Sequence, residues 1–155
     1  MMQTTAFYAG SFDPFTRGHA DIVERSLALF DKVIIAVGIN DAKRCLFNPQ
    51  VRVKQISRYY SKQPRVEVIE YDTLTVDIAS RLGASVLVRG VRSGADMELE
   101  RSLADLNRHI ARMETVILPA SQQLSHISST VVRELLRFGH NVADFLPDGF
   151  DLNCE

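Results

Sequence analysis

The chain has 155 residues, with 46% hydrophobic and 24% charged residues, a formal net charge of −1 and a pI near 6.4. This length fits one domain with a sizeable core, which we predict to span residues 1–155. The slightly acidic balance argues against a protein that binds nucleic acid through a wide basic surface, although a small cationic pocket needs only a few Lys and Arg.

The cysteines and the apolar stretches indicate the cellular compartment in which we expect the protein. Cys45 and Cys154 belong to no CxxC or Cys/His cluster, so we expect neither a disulfide scaffold nor a structural zinc site. Thiols without a pattern suit a reducing cytoplasm. The N-terminal residues lack the basic and apolar regions of a signal peptide, and the longest apolar stretch, around residues 33–39, is too short to span a bilayer. We therefore expect a cytoplasmic protein with no membrane partner.

Short β-branched runs alternate along the chain with helical patterns. The runs typical of strands are residues 4–9, 33–37, 66–69, 85–88 and 115–118. The helical patterns cover residues 20–30, a segment opening at Asn48-Pro49, residues 75–82 up to Gly83, the spaced residues Leu99, Leu103, Leu106 and Ile110, residues 129–138, and a short last piece at 142–146.

This alternation predicts right-handed βαβ units and a parallel sheet. The near-continuous apolar run at residues 33–37 is expected of a strand covered on both faces. The predicted fold is therefore a doubly wound, Rossmann-like α/β domain with a five-stranded parallel sheet and helices on both faces. Ligands of such sheets bind beyond the carboxyl ends of the strands, near a switch in strand order.

Residues 10–19, with the sequence GSFDPFTRGH, follow the first predicted strand. A glycine-rich turn that leads into a helix N-terminus offers backbone N–H groups to a phosphate, and His19 in the first helical turn would point to the same anion. Ser11 adds a hydroxyl group. The alternative is that Gly10 and Asp13-Pro14 only form a turn, with Thr16 as a helix cap and His19 as a solvated histidine. No G-K-[ST] follows, which disfavours a P-loop mechanism.

Cationic residues come after two further predicted strands. Lys43 follows the second strand, where it could reach phosphates bound at the strand ends. Arg89 and Arg92 follow the fourth strand on either side of Gly90, and a guanidinium fork matches phosphate oxygens well. The alternatives are a solvated lysine and two surface arginines that balance the acidic residues after them.

Three hydroxyl residues stand together at Ser128, Ser129 and Thr130. Small hydroxyl residues at a helix start leave N–H donors free for a triphosphate. Simple N-capping is the alternative, but neither serine has a Glu at capping-box spacing.

Residues 10–19 strongly resemble the signature of the nucleotidyltransferase superfamily, G-[ST]-F-D-x-x-[HT]-x-G-H, and agree at all of its defined positions. Thr16, the RGVR sequence at residues 89–92 and the ISST sequence at 127–130 are similar to the phosphopantetheine adenylyltransferase family within it. The resemblance extends over residues 6–147. Two departures are Leu99, where many members have Tyr, and Thr130, where many have Ser.

The resemblance implies that the adenylyl group of ATP is transferred to 4′-phosphopantetheine by in-line attack of the acceptor phosphate on the α-phosphorus. A phosphate monoester is largely dianionic at pH 7 and needs no strong general base, which fits a chain without an evident nucleophile–base pair. The implied catalytic residues are His19, as a hydrogen-bond donor to the α-phosphate, Lys43, which neutralises the acceptor and α-phosphates, and Arg92, which contacts the β- and γ-phosphates.

The resemblance also implies binding residues, a cofactor and partners. The ATP site would comprise Gly10, Ser11, Phe12, His19, Arg89, Gly90, Arg92, Glu100, Ser128, Ser129 and Thr130. The phosphopantetheine site would comprise Ser11, Lys43, Thr75, Arg89, Leu103 and Asn107. Mg²⁺ would be held mainly by the triphosphate and water, without protein ligands. A homohexamer and feedback inhibition by coenzyme A are further expectations from the family.

Two other functions remain as alternatives. A nicotinamide mononucleotide adenylyltransferase or a cytidylyltransferase would share the chemistry, although Thr16 and RGVR count against it. A non-catalytic nucleotide-binding module, such as an electron-transfer flavoprotein or a stress-type protein, would share the fold. Such a module does not explain why His19, Lys43, Arg89 and Arg92 occur together, and it would release no pyrophosphate.

Overall fold

The computed structural model describes residues 2–154, in which five strands alternate with helices. The strands are β1 (Thr5–Gly10), β2 (Lys32–Gly38), β3 (Val66–Tyr71), β4 (Val86–Val91) and β5 (Thr115–Pro119). The helices are α1 (Arg17–Leu29), α2 (Pro49–Tyr59), α3 (Thr75–Arg81), α4 (Gly94–Ala111) and α5 (Ser129–Arg137), with 3₁₀ turns at Gln122–Leu124 and Ala143–Phe145. Among these residues no helix has the length and apolar character needed to cross a membrane.

The strands form one sheet in the order β3-β2-β1-β4-β5, and all neighbouring pairs are parallel. The chain first builds the sheet outward from β1 to β3 and then returns to the other side of β1. The order therefore reverses between β1 and β4, which opens a crevice at their carboxyl ends. The predicted doubly wound fold is confirmed, and the crevice lies beside the GSFDPFTRGH segment.

An apolar layer covers each face of the sheet, because successive residues of β1 point to opposite sides. Tyr8 joins the larger layer together with side chains from α1, α2 and α5. Phe7 joins the smaller layer together with side chains from α3. Burial on both faces explains why residues 6–9 of β1 and 33–37 of β2 are continuously apolar rather than alternating.

One strand boundary differs from the prediction in a way that affects the site. β4 continues to Val91, because Arg89 and Gly90 still pair with Ile117 and Leu118 of β5. Arg89 therefore lies within β4 and not after it, whereas Arg92 does follow the strand. The neighbouring strand β1 pairs with β4 only as far as Val88. Arg89 is the next residue of β4, and its side chain therefore reaches the crevice between the ends of the two strands.

The C-terminal residues, for which the sequence suggested no role, pack onto the larger layer. Phe150 is buried and its ring stacks on Phe15, with ring centroids 5.8 Å apart. Arg17 at the start of α1 donates to the carbonyl oxygen of Leu146 and forms an ion pair with Asp148, at 2.8 Å in both cases. These C-terminal residues thus stabilise the beginning of α1.

Candidate active site

The turn after β1 is held in an unusual conformation. Phe12 has φ of 51°, in the left-handed region that costs a non-glycine residue roughly 1–2 kcal/mol. Its ring is buried and packs edge-on against Tyr8 and His19, with centroids at 5.1 and 4.9 Å. A Cβ on Gly10 would meet that ring at 3.0 Å. Gly10 therefore permits the ring to fold beneath the turn, and the ring in turn fixes His19.

His19 occupies the third position of α1 and takes part in the helix cap. Thr16 is the N-cap residue: its hydroxyl accepts the backbone N–H of His19 at 3.4 Å, and its own N–H donates to His19 Nδ1 at 3.0 Å. Because Nδ1 is an acceptor, the neutral ring carries its proton on Nε2. Thr16 thus does cap the helix, but His19 is not a solvated histidine.

The surroundings of His19 keep its ring neutral. Its ring lies near both Phe12 and Phe15, at centroid distances of 4.9 and 5.4 Å. Burial, assisted by the positive charges of Arg92 and Arg89, lowers the pKa of His19 to about 3. At pH 7 the side chain is therefore uncharged, with one N–H on Nε2 available as a donor.

A cavity of about 380 Å³ opens at the switch between β1 and β4. It is lined by ten of the eleven residues predicted to bind ATP: Gly10, Ser11, Phe12, His19, Arg89, Gly90, Arg92, Ser128, Ser129 and Thr130. The remaining residue, Glu100, lies elsewhere. Arg133, which follows the ISST sequence, also lines this cavity. No role for Arg133 was predicted from the sequence, although a cationic side chain one turn into α5 was a signal that could have indicated one.

The hydroxyl residues before α5 have partners within the protein. Ser128 caps the helix by accepting the N–H of Val131 at 3.2 Å, as in the capping alternative. Ser129 donates to the carbonyl oxygen of Pro14 at 2.8 Å and so joins α5 to the turn after β1. Since Val131 uses its N–H in the cap, the free donors at the helix start are the N–H groups of Ser129 and Thr130.

Arg89 is held by a buried carboxylate. Its Nε and Nη2 donate to Glu100 at 3.0 and 2.8 Å, and its Nη1 donates to the carbonyl oxygen of Ala9 at 2.6 Å. The Glu100 side chain is 8% exposed, whereas that of Arg89 is 34% exposed. Glu100 thus fixes the guanidinium in one orientation at the end of β1. Arg92 similarly pairs with Asp96 at 3.7 Å, but both side chains are more exposed.

A second cavity, of about 470 Å³, lies between β2 and α4. Its lining contains all six residues predicted to bind phosphopantetheine: Ser11, Lys43, Thr75, Arg89, Leu103 and Asn107. It also contains Glu100 and Tyr71. The hydroxyl groups of Tyr71 and Thr75 are 2.9 Å apart. Tyr71 was not predicted from the sequence as a site residue, because a tyrosine at a strand end is equally typical of a core residue.

The two cavities share part of their lining. The shared residues are Ala9, Gly10, Ser11, Lys43 and Arg89. A group bound in one cavity therefore meets a group bound in the other at the end of β1, beside Lys43 and Arg89. Two cavities that share one cationic rim suit a transfer between two bound molecules.

The lining of the first cavity includes no carboxylate. Within residues 2–154 no group of three His, Cys, Asp or Glu side chains is arranged to hold a metal ion. Backbone N–H groups and the cationic side chains of Lys43, Arg89, Arg92 and Arg133 suit phosphate oxygens instead.

The chain is similar to known proteins in sequence and in fold. Residues 7–135 match the cytidylyltransferase-like family. The chain is 60% identical over 153 residues to a phosphopantetheine adenylyltransferase of Porphyromonas gingivalis, covering 99% of this chain and 100% of that protein. It is 45% identical to the phosphopantetheine adenylyltransferase of Phocaeicola vulgatus, over 96% of this chain and 98% of that one.

The fold is also similar to a solved structure from Francisella tularensis, a bifunctional NMN adenylyltransferase/ADP-ribose pyrophosphatase. The TM-score is 0.70 and the identity is 14%, over 94% of this chain and 44% of that one. At this identity the likeness concerns the fold alone.

Proposed function

The chain belongs to the phosphopantetheine adenylyltransferase family, and from this premise we propose how its two cavities carry out the reaction. The enzyme transfers the adenylyl group of ATP to 4′-phosphopantetheine, which gives dephospho-coenzyme A and pyrophosphate. It is a nucleotidyltransferase of coenzyme A biosynthesis.

ATP occupies the first cavity and phosphopantetheine the second, in our proposal. The observation that carries it is the shared rim at Ser11, Lys43 and Arg89. In this arrangement the acceptor phosphate lies at the rim and faces the α-phosphorus of ATP. The second cavity presents more apolar than polar surface, through side chains such as Leu74 and Leu103, which suits a pantetheine arm. Coenzyme A carries the same arm, so we propose that it competes for this cavity as a feedback inhibitor.

The proposed chemistry depends on charge placement. The acceptor phosphate is largely dianionic at pH 7 and attacks in line without a general base. Lys43 neutralises the charge shared by the acceptor and the α-phosphate. The neutral His19 donates its Nε2–H to an α-phosphate oxygen as negative charge grows there. Arg92, with the N–H groups at the start of α5, stabilises the departing pyrophosphate.

The proposal includes a metal ion. Transfer from ATP is consistent with one, and we propose Mg²⁺, held by the triphosphate and water. This fits a cavity whose lining supplies cations and N–H donors rather than carboxylates. When bound, Mg²⁺ would neutralise phosphate charge. We further propose a cytoplasmic location, which suits the two free cysteines Cys45 and Cys154.

Pyrophosphate release with a panel of acceptors tests the function. With ATP and Mg²⁺ we expect release with 4′-phosphopantetheine, and none with nicotinamide mononucleotide, glycerol 3-phosphate or no acceptor. Release with a different acceptor would keep the chemistry and overturn the specificity. Absence of release by folded protein that binds ATP would favour a non-catalytic binding module.

We also propose that the enzyme is a hexamer, with α4 at an interface between copies. The apolar residues Leu99, Leu106 and Ile110 are 60%, 51% and 47% exposed on one face of this helix. Leu106 and Ile110 also line the second cavity, whereas Leu99 lies outside it, so the proposed contact begins at Leu99 beside that cavity. Leu99→Glu is expected to convert hexamers into smaller species, measured by sedimentation against the 17.4 kDa monomer mass. The matched control is Leu29→Glu at the end of α1, equally 60% exposed. If the Leu99→Glu variant still forms hexamers, α4 does not lie at the interface.

A further inference from the structure

Lys43 lies on the segment between β2 and α2, residues 39–48, and its side chain is exposed. At the start of the segment the N–H of Ile39 donates to the carbonyl oxygen of Tyr71 at 2.8 Å. Asn40 then forms a turn by accepting the N–H of Lys43 through its carbonyl oxygen and the N–H of Ala42 through its side chain. These local contacts do not by themselves join the segment to the turn after β1, which leads to His19. The contacts that join the two lie a few residues further on.

The first contact is made by Asp13, from the turn after β1. This residue is 3% exposed, and its two carboxylate oxygens accept the backbone N–H groups of Leu46 and Phe47 at 2.7 and 2.9 Å. Asp13 is six residues from His19 in a turn that the buried Phe12 ring already holds. A carboxylate that accepts two N–H groups of another segment ties that segment to the turn.

The second contact is made by Arg52, from α2. It is 1% exposed. Its Nη1 donates to the carbonyl oxygen of Ser11, its Nε donates to the carbonyl oxygen of Phe47 at 3.0 Å, and its Nη2 contacts Cys45 Sγ at 3.7 Å. An apolar side chain would fill this space without the cost of burying a charge. The guanidinium instead joins Cys45 and Phe47, both on the C-terminal side of Lys43, to Ser11 in the turn.

We propose that Asp13 and Arg52 are positioning residues that hold Lys43 at the rim shared by the two cavities. The inference rests on the proposed role of Lys43 in adenylyl transfer. The turn of residues 10–16 carries Ser11 and leads into the helix of His19. A segment joined to this turn therefore keeps Lys43 at a constant position relative to Ser11 and His19. Loss of either tie lets Lys43 move, and a displacement of about 1 Å costs on the order of 100-fold in rate.

Asp13→Asn is the first variant, because the amide keeps the shape but presents an NH₂ group to one of the two N–H donors. We expect kcat to fall by about 10- to 100-fold, with KM for ATP changed by less than about threefold. Arg52→Lys keeps the charge and removes the fork, and it should behave in the same way. The matched control is Arg65→Lys, since Arg65 also donates to a carbonyl oxygen, that of Leu27 at 2.9 Å, but on an exposed surface away from both cavities. Its kcat should be unchanged.

A double-mutant cycle with Lys43→Ala distinguishes positioning from a purely structural role. If the two residues act through Lys43, Asp13→Asn or Arg52→Lys lowers kcat by no more than about twofold further in the Lys43→Ala enzyme. If the reductions in kcat of the single variants instead multiply in the double variant, the inference is overturned while the role of Lys43 stays intact. If Lys43→Ala alone leaves kcat unchanged, its proposed role fails and the inference fails with it. Urea unfolding checks that each variant is folded, and if Asp13→Asn is not, the Arg52→Lys cycle decides.

Discussion

His19→Asn lowers kcat by a factor of about 10²–10³, the loss expected when one preorganised donor to a developing anion is removed. The asparagine side-chain oxygen reaches the position of Nδ1 and still accepts the N–H of Thr16, so the helix cap survives. Nothing replaces the N–H on Nε2. Because we propose that this donor acts in the transition state, we expect the Kd for ATP to change by less than about threefold.

His19→Gln is the complementary control. Its amide nitrogen lies near the position of Nε2, and at the third helical position its side-chain oxygen can accept the N–H of Thr16 as in a capping box. We expect this variant to be more active than His19→Asn, with similar stability. Steady-state kinetics, ATP titration and urea unfolding separate these effects. If His19→Asn instead weakens ATP binding about 100-fold and leaves kcat unchanged, His19 acts in ground-state binding and not in the chemical step.

Arg89→Met lowers both activity and stability. It removes the partner of Glu100, whose carboxylate is nearly buried, and an uncompensated buried charge costs about 3–5 kcal/mol. Since the Arg89 side chain is partly exposed, we expect the lower end of that range, which is still a large part of the 5–15 kcal/mol typical of a domain. The rim between the cavities also loses a guanidinium, so kcat should fall by a factor of at least about 10².

Arg89→Met/Glu100→Gln separates the two losses. Neutralising Glu100 removes the buried charge, so urea unfolding should show recovery of most of the lost free energy. Activity should not return, because the cationic group at the rim is still absent. Recovery of activity in the double variant would mean that Arg89 serves only to compensate Glu100. No recovery of stability would mean that the ion pair is not the reason for the first effect.

The sequence determined the order and type of the elements, because hydrophobic periodicity, capping residues and Gly83 are local features. Gly83 does adopt a positive φ of 71° after α3. The position of the first cavity also followed from the sequence, since a switch in strand order places ligands at strand ends. The resemblance of residues 10–19 then supplied a family, which a fold alone does not.

The tertiary structure decided which side chains act together. Leu46 meets Asp13 across 33 positions, and Ser11 meets Arg52 across 41, separations at which no sequence periodicity operates. The end of β4 likewise depended on its pairing with β5, which placed Arg89 within the strand. Glu100 lies on α4, and only the packing of that helix beside β4 turns it towards Arg89 rather than towards the first cavity. Such contacts depend on how buried polar groups find partners once the layers pack, and this is set by the whole fold rather than by any segment.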